Sequence, residues 1–99
     1  MNWKEINKDI GIVKEGKTIS ITFESNKPLD IVKTQVGCSS CTKVMSYKDN
    51  ILTVNYNTGS FPVHLYNHSV KPKIEGFVYV YLKDGTVDML TFNGYLMRK

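Results

Sequence analysis

Residues 77–92 read FVYVYLKDGTVDMLTF, and this stretch predicts a β-hairpin. Strand-forming valine, tyrosine, threonine and phenylalanine lie on both sides of Asp84-Gly85, a pair that supplies the positive φ angles of a tight turn. From Phe77 to Leu82, aromatic and aliphatic residues alternate and therefore occupy opposite faces of one strand. Because the period is two residues and not the 3.6 of a helix, the stretch indicates an all-β fold.

The same pattern continues on both sides of the hairpin. Polar and apolar residues alternate clearly through Lys17–Glu24 and Ile51–Tyr56, and turn residues separate shorter extended segments. The predicted strands are Lys17–Glu24, Leu29–Val36, Thr42–Tyr47, Ile51–Tyr56, Val63–Tyr66, Phe77–Leu82 and Thr86–Phe92, with a loop at Asn67–Glu75 and a strand extension at Tyr95–Met97. About seven short antiparallel strands predict an immunoglobulin-like β-sandwich, with residues 1–99 as a single domain.

The composition is that of a soluble globular protein, with 41% hydrophobic and 22% charged residues. No apolar run approaches the roughly 20 residues of a membrane span. The start, Met1–Glu5, has none of the features of a secretory signal. We therefore expect no membrane contact, and a location in the host cytoplasm or in a virion.

The net charge of +4 is spread along the chain, with acidic and basic residues interleaved. A mildly basic domain attracts acidic partners at long range. Nucleic acid is not the partner that we expect, because Arg98 is the only arginine and lysine lacks the planar fork that reads bases.

Several short motifs occur in an order that resembles the DUF1573 family, which belongs to the PapD-like and ASH-like immunoglobulin-fold modules. The resemblance extends from about Ile6 to Leu96. The motifs are Asp9-Ile10-Gly11, Lys14–Lys17, Ile19–Phe23, Asn26, Pro28–Ile31, Cys41-Thr42 and Leu90–Gly94. It implies an immunoglobulin-like fold and no enzymatic activity.

Two differences from that family concern the cysteine turn. The family has Cys-Gly-Cys-Thr where this chain has Cys38-Ser39-Ser40-Cys41-Thr42, and the Pro-Gly step that follows is missing around Ser46–Ile51. Family members are also mostly exported, whereas no export signal is recognisable here.

The Cys38-x-x-Cys41 motif is compatible with a redox dithiol or with half of a metal site. A thioredoxin-type pair needs a helix N-terminus behind it to lower the thiol pKa, and Thr42 onward is predicted as a strand. We therefore predict that the cysteines are free thiols in a reducing cytosol, or form a disulfide only when oxidised.

Two histidines offer further metal ligands. Together with the cysteines, His64 and His68 make a C-x2-C…H-x3-H pattern, but the 22 residues between the pairs exceed the roughly 12 of a zinc finger. No helix is predicted to carry the histidines. A thiol or zinc protein that uses Cys38, Cys41, His64 and His68 remains one alternative, whereas the leading prediction has no metal.

The sequence contains no recognisable catalytic arrangement. Its carboxylates are scattered over predicted loops and strand ends, with no spacing that favours acid–base chemistry. Gly11 and Gly16 are too far apart for a phosphate-binding loop. We therefore predict no enzymatic activity and no cofactor.

Aromatic residues are the remaining signal for a binding function. Both faces of Phe77–Leu82 are apolar, and tyrosine is favoured at protein interfaces. We predict Trp3 and either Tyr79 or Tyr81 as partner-binding anchors, with Trp3 in an exposed terminal segment. Lys71 and Lys73 are predicted to attract an acidic partner.

These features favour a non-enzymatic structural or binding module. The leading hypothesis is a bacteriophage virion accessory protein, present in many copies, that decorates or cements a capsid or tail. One alternative is a cytoplasmic or periplasmic DUF1573-type protein-binding adaptor. The other is the thiol or zinc protein described above.

Overall fold

A computed structural model describes residues 2–62, 64 and 71–98, and these form seven strands. The strands are β1 (Asn7–Lys14), β2 (Thr18–Glu24), β3 (Ile31–Val36), β4 (Thr42–Lys48), β5 (Ile51–Asn57), β6 (Lys73–Leu82) and β7 (Val87–Met97). They make a four-stranded sheet in the order β1-β7-β6-β3 and a three-stranded sheet in the order β2-β5-β4. The predicted all-β sandwich is confirmed.

Strand β1 was not predicted, and it pairs in parallel with β7, so the expectation of purely antiparallel strands is wrong at this edge. Its sequence hides the strand, because polar residues and Gly11 interrupt the alternation. The register shifts between Asp9 and Gly11, where the Asp9 carboxylate accepts a 2.8 Å hydrogen bond from the Gly11 amide. Gly11 adopts a φ of +73°, which glycine tolerates without steric cost.

The core lies between the two sheets and is built by the inward residues of each alternating strand. The most buried core residues on the strands are Phe23, Leu52 and Val54 from the three-stranded sheet and Val78, Val80, Leu90 and Phe92 from the four-stranded sheet. The ring of Phe92 meets that of Tyr56 from the opposite sheet at 5.2 Å in an edge-to-face arrangement. This shared interior explains why one face of each core strand is apolar.

The hairpin between β6 and β7 has the predicted tight turn, with one difference. Gly85 has a φ of +93°, as expected, whereas Asp84 is not among the residues with positive φ. The Leu82 amide donates to the Thr86 carbonyl and the Gly85 amide to the Leu82 carbonyl, which encloses a three-residue loop. In such loops a type I turn is followed by one residue of positive φ, here Gly85.

Two other predictions concern the connection between β5 and β6. The loop predicted to end at Glu75 ends earlier, because β6 begins at Lys73. Of the strand predicted at Val63–Tyr66, residues 63, 65 and 66 lie outside the described residues. In the part of the chain that the structure describes, no helix has the length and hydrophobicity needed to cross a bilayer.

Candidate protein-binding surface

The outer face of the four-stranded sheet is apolar over its central strands. On β6, Val78, Val80 and Leu82 are buried in the core, so Phe77, Tyr79 and Tyr81 lie on the opposite side. The β7 residues next to Tyr79 and Tyr81 are Met89 and Val87. We call this set the aromatic face; its members are Phe77, Tyr79, Tyr81, Val87 and Met89.

Phe77 and Tyr79 support each other at one end of the aromatic face. Their ring centroids are 5.0 Å apart with the planes at 61°, an edge-to-face geometry that adds to the burial of the rings. Phe77 also lies over Gly37, where a Cβ atom would approach the phenylalanine Cε1 to 2.6 Å. A glycine at this position therefore leaves room for the phenylalanine ring.

Tyr81 is held by two side chains of the neighbouring strand β3. Its hydroxyl donates a 3.0 Å hydrogen bond to Gln35 Oε1, and Lys33 Nζ lies 4.6 Å from the centre of its ring. An exposed cation–π contact of this kind is worth about 0.5–1 kcal/mol. Both contacts restrict the ring before any partner arrives, which reduces the entropy lost on binding.

Val87 and Met89 are the most exposed members of the aromatic face, at 49% and 50%. Beside them is a shallow depression whose lining includes Asn7, Glu75, Phe77, Met89, Thr91 and Asn93. Neither Val87 nor Met89 was among the residues predicted to bind a partner. The alternation with buried Leu90 and Phe92 was sufficient to place both on the outer side of the sheet.

Trp3 was predicted as an exposed anchor, and this prediction is wrong because Trp3 is only 1% exposed. Its Nε1 donates a 2.9 Å hydrogen bond to Asp88 Oδ2, and its ring meets that of Tyr47 at 6.3 Å. The backbone of Trp3 forms an antiparallel bridge with Ser25 at the end of β2. Trp3 therefore belongs to the hydrophobic core and is not available to a partner.

Lys71 and Lys73 are exposed, but they are not next to Tyr81. Six residues of extended strand separate Lys73 from Tyr79, or about 20 Å. Lys73 Nζ lies 2.9 Å from Glu75 Oε1, and this hydrogen bond raises the pKa of Lys73. The pairing neutralises part of the attraction predicted for Lys73, whereas Lys33 provides a cation on the aromatic face itself.

The two cysteines form a disulfide, so the prediction of free thiols is wrong for this structure and its oxidised alternative is the one observed. The chain turns between them, and the Thr42 amide donates a 2.8 Å hydrogen bond to the Cys38 carbonyl. The turn brings the two Cα atoms to 5.5 Å, within the range that a disulfide can bridge. The bridge closes the loop between β3 and β4, which connects the two sheets.

The zinc alternative applies only to a reduced form of this loop, because metal ligation needs cysteine thiolates. His64 is exposed, and His68 lies outside the described residues. Within residues 2–62, 64 and 71–98, no three histidine, cysteine or acidic side chains group together as metal ligands.

Comparison with known proteins gives a likeness of fold. No family model matches the chain, and no curated protein matches it. Among solved structures, the M1 domain from titin superposes with a TM-score of 0.50 and 12% sequence identity, over 98% of this chain and 94% of that one. The likeness concerns the fold alone, and the chain therefore has an immunoglobulin-like sandwich fold.

Proposed function

We propose that this chain is a protein-binding module that docks on its partner through the aromatic face. The observation that carries the proposal is the position of Tyr79 and Tyr81 beside half-exposed Met89 and Val87 on the outside of the sheet. Tyrosine and methionine are enriched at interfaces, and tyrosine supplies a large contact area with only two χ angles to immobilise.

The charge of the domain favours a partner with an acidic surface. The net charge is +4, and Lys33 lies directly over the ring of Tyr81. Complementary charge mainly accelerates association. Raising the salt concentration should therefore slow association more than it speeds dissociation.

The specific form of the proposal is a bacteriophage virion accessory protein that binds capsid or tail subunits in many copies. A standard interface buries about 800 Å² on each partner, which a domain of this size can provide on one sheet face. Repeated sites on a lattice then add avidity to a modest individual affinity. A DUF1573-type adaptor would use the same face on a single partner protein.

The test is binding of the purified chain to phage particles that lack it. We expect the parent chain to occupy the particles, and the Tyr79→Ser/Met89→Ser double variant to bind at least about 30-fold more weakly, as expected for interface anchors. Thr53→Ser/Asn55→Ser is the matched control, because both residues lie on the other sheet.

Three results would contradict parts of this proposal. If the chain is absent from density-banded particles and does not rebind to them, the virion role is wrong and the adaptor role replaces it. If the parent and the Tyr79→Ser/Met89→Ser variant bind equally, the aromatic face is not the docking surface. Loss of binding in the Thr53→Ser/Asn55→Ser control would move the surface to the other sheet.

A further inference from the structure

The two sheets end in four outer strands, and β2 differs from the other three. Strands β1, β3 and β4 each contain a register shift in their pairing, and each carries at least one lysine. Bulges and lysines on edge strands prevent pairing with other chains. Strand β2 pairs with β5 from Thr18 to Glu24 without a shift and contains no lysine, so it lacks both protections.

The hydrogen bonds at the two ends of β2 show which backbone groups point outward. The Lys17 carbonyl accepts from the Thr58 amide, and the Ser25 amide donates to the Asn50 carbonyl, both at 2.8 Å. Odd-numbered residues of β2 therefore bond towards β5. Because the register is unbroken, the even-numbered residues direct their N–H and C=O groups to the open side.

The open positions are Thr18, Ser20 and Thr22, which we call the β2 edge. All three residues are exposed. Among the described residues, no strand pairs with this side of β2 between Thr18 and Thr22. The β2 edge therefore offers a row of backbone donors and acceptors that is ready for another strand.

The N-terminal segment shows how such a strand would bind. The Lys4 amide donates to the Glu24 carbonyl at 2.9 Å, and the Asn26 amide donates to the Asn2 carbonyl at 2.8 Å. This pairing is antiparallel, and the chain then leaves to join β7 as β1. The next outward-facing positions of β2 are those of the β2 edge. An added antiparallel strand would therefore extend the row of hydrogen bonds that Asn2–Lys4 makes with the end of β2.

The side of the sandwich next to the β2 edge is apolar. Strands β1 and β2 are consecutive in the chain and are the outer strands of their sheets on the same side. Ile10 and Val13 of β1 and Ile19 of β2 are only partly buried against the core. An added strand would turn alternate side chains towards these residues, and the others outward beside the hydroxyls of β2. The partner segment should therefore alternate apolar and polar residues.

The charges near the two ends of β2 indicate which residues the partner segment should carry at its C-terminal end. An antiparallel strand places its C-terminal end near Lys17, at the start of β2. Lys14 lies nearby, at the end of β1 before the turn that joins the two strands. Both lysines are exposed, and neither forms an ion pair with a described residue. At the other end of β2, Lys4 is already paired with Glu24 at 2.9 Å. Acidic residues are therefore favoured at the C-terminal end of the segment.

We propose that the β2 edge is a strand-addition site for an extended segment of a partner protein. The segment runs antiparallel to β2, alternates apolar and polar residues, and carries acidic residues at its C-terminal end. A second copy of this chain fits less well. If β2 paired with β2 of a second copy, the end near Lys17 of one copy would lie against Lys4 of the other, and like charges would meet. Asn2–Lys4 also already occupies that position.

The experiment uses the full chain and synthetic peptides of about eight residues, long enough to span the edge. The peptides alternate valine and threonine and end in either two aspartates or two lysines. We expect the aspartate peptide to protect the amides of Thr18, Ser20 and Thr22 from hydrogen exchange. The lysine peptide should bind at least about tenfold more weakly, because its charges repel Lys14 and Lys17.

Variants at Ser20 separate the backbone from the side chain. Ser20→Pro removes one edge-facing N–H that β5 does not use, and should abolish peptide binding. Ser20→Ala keeps that N–H and should bind like the parent. If Ser20→Pro does not fold, two N-methylated forms of the aspartate peptide serve the same purpose. One form is methylated at the amides that face β2 and should fail to bind. The other is methylated at the amides that face away from β2 and should bind.

Several outcomes would overturn the proposal. It is wrong if neither peptide protects the β2 amides, or if folded Ser20→Pro binds as tightly as Ser20→Ala. Protection of these amides that rises with protein concentration, without peptide, would assign the edge to a second copy. The site does not depend on the aromatic face, so Tyr79→Ser/Met89→Ser should leave peptide binding unchanged.

Discussion

The outer faces of the two sheets have the same two-residue period and opposite chemistry. The three-stranded sheet turns hydroxyl and amide side chains outward, among them Thr18, Ser20, Thr22, Thr53 and Asn55. The four-stranded sheet turns out the aromatic face. A polar outer face is the ordinary condition of an antiparallel sheet with one side in water.

The difference shows on which strands the sequence pattern identifies the side that faces the core. On β2 the inward residues are the only apolar ones, so alternation alone orients the strand. On β6 both sides are apolar, and only the packing of the two sheets reveals that Val78, Val80 and Leu82 enter the core. A strand with two apolar sides is therefore the one on which a binding surface and a core face are hard to distinguish.

The comparison is tested most strongly by two aromatic residues that the sequence analysis treated alike. Trp3→Ala should lower the free energy of unfolding by about 3–5 kcal/mol, because it empties a core position and leaves Asp88 without its indole donor. Tyr79→Ala should cost at most about 1–2 kcal/mol, because the ring lies on the outer face. Urea denaturation measures both, and equal costs would mean that the aromatic face acts as core.

The disulfide closes the loop that connects the two sheets, and it should contribute less than a core residue. Cys38→Ser with Cys41→Ser should lower the free energy of unfolding by about 2 kcal/mol, since a ring closed over so few residues restricts the unfolded chain only modestly. Thermal unfolding of the oxidised, reduced and mutated proteins measures this. A folded double variant that no longer binds its partner would assign the cysteines a functional role.

The turns of the two sheets differ in their tolerance of side chains. Gly85→Val in the β6–β7 turn should cost about 1–2 kcal/mol, because a β-branched residue fits poorly at a φ of +93°. Asn50→Gly in the β4–β5 turn should be neutral or slightly stabilising, because Asn50 already has a φ of +67°. Chemical denaturation of both variants checks this pair, and a neutral Gly85→Val would contradict the turn.

The smallest expected effect is a pH dependence of stability that arises at Asp84 in the β6–β7 turn. Hydrogen bonds from the side chain and the backbone amide of Thr86 lower the pKa of Asp84. The ionised form therefore stabilises the fold above the unfolded-state pKa of about 3.9, and this contribution disappears as the pH falls through the lower folded-state pKa.

Replacing Thr86 tests the cause of that shift. Thr86→Val keeps the backbone hydrogen bond and removes the hydroxyl donor, so the Asp84 pKa should rise part of the way to its ordinary value. Carboxyl chemical shifts followed by NMR titration measure it. An unchanged pKa would mean that the backbone amide alone holds the carboxylate.

Much of the fold was predictable from short-range patterns, whereas the candidate surface was predictable only in part. Tyr79 and Tyr81 were identified because tyrosine alternates with valine in one strand. The side chains that hold Tyr81, Lys33 and Gln35, come from β3, more than 40 residues earlier, and only the register of β3 with β6 brings them to its ring. Trp3 was misplaced because its closing contact, Asp88, is 85 residues away in the chain.

The sequence by itself determined the all-β class, the consecutive strand pairs β4–β5 and β6–β7, the glycine turn at Gly85 and the inward residues of β2 and β5. These features depend on neighbours within a few residues, and local steric and solvation preferences are sufficient to specify them. Only the tertiary structure decided the parallel pairing of β1, the burial of Trp3, the disulfide and the open edge of β2. Each of these depends on contacts between distant segments or on a turn's three-dimensional geometry, which residue order alone does not specify.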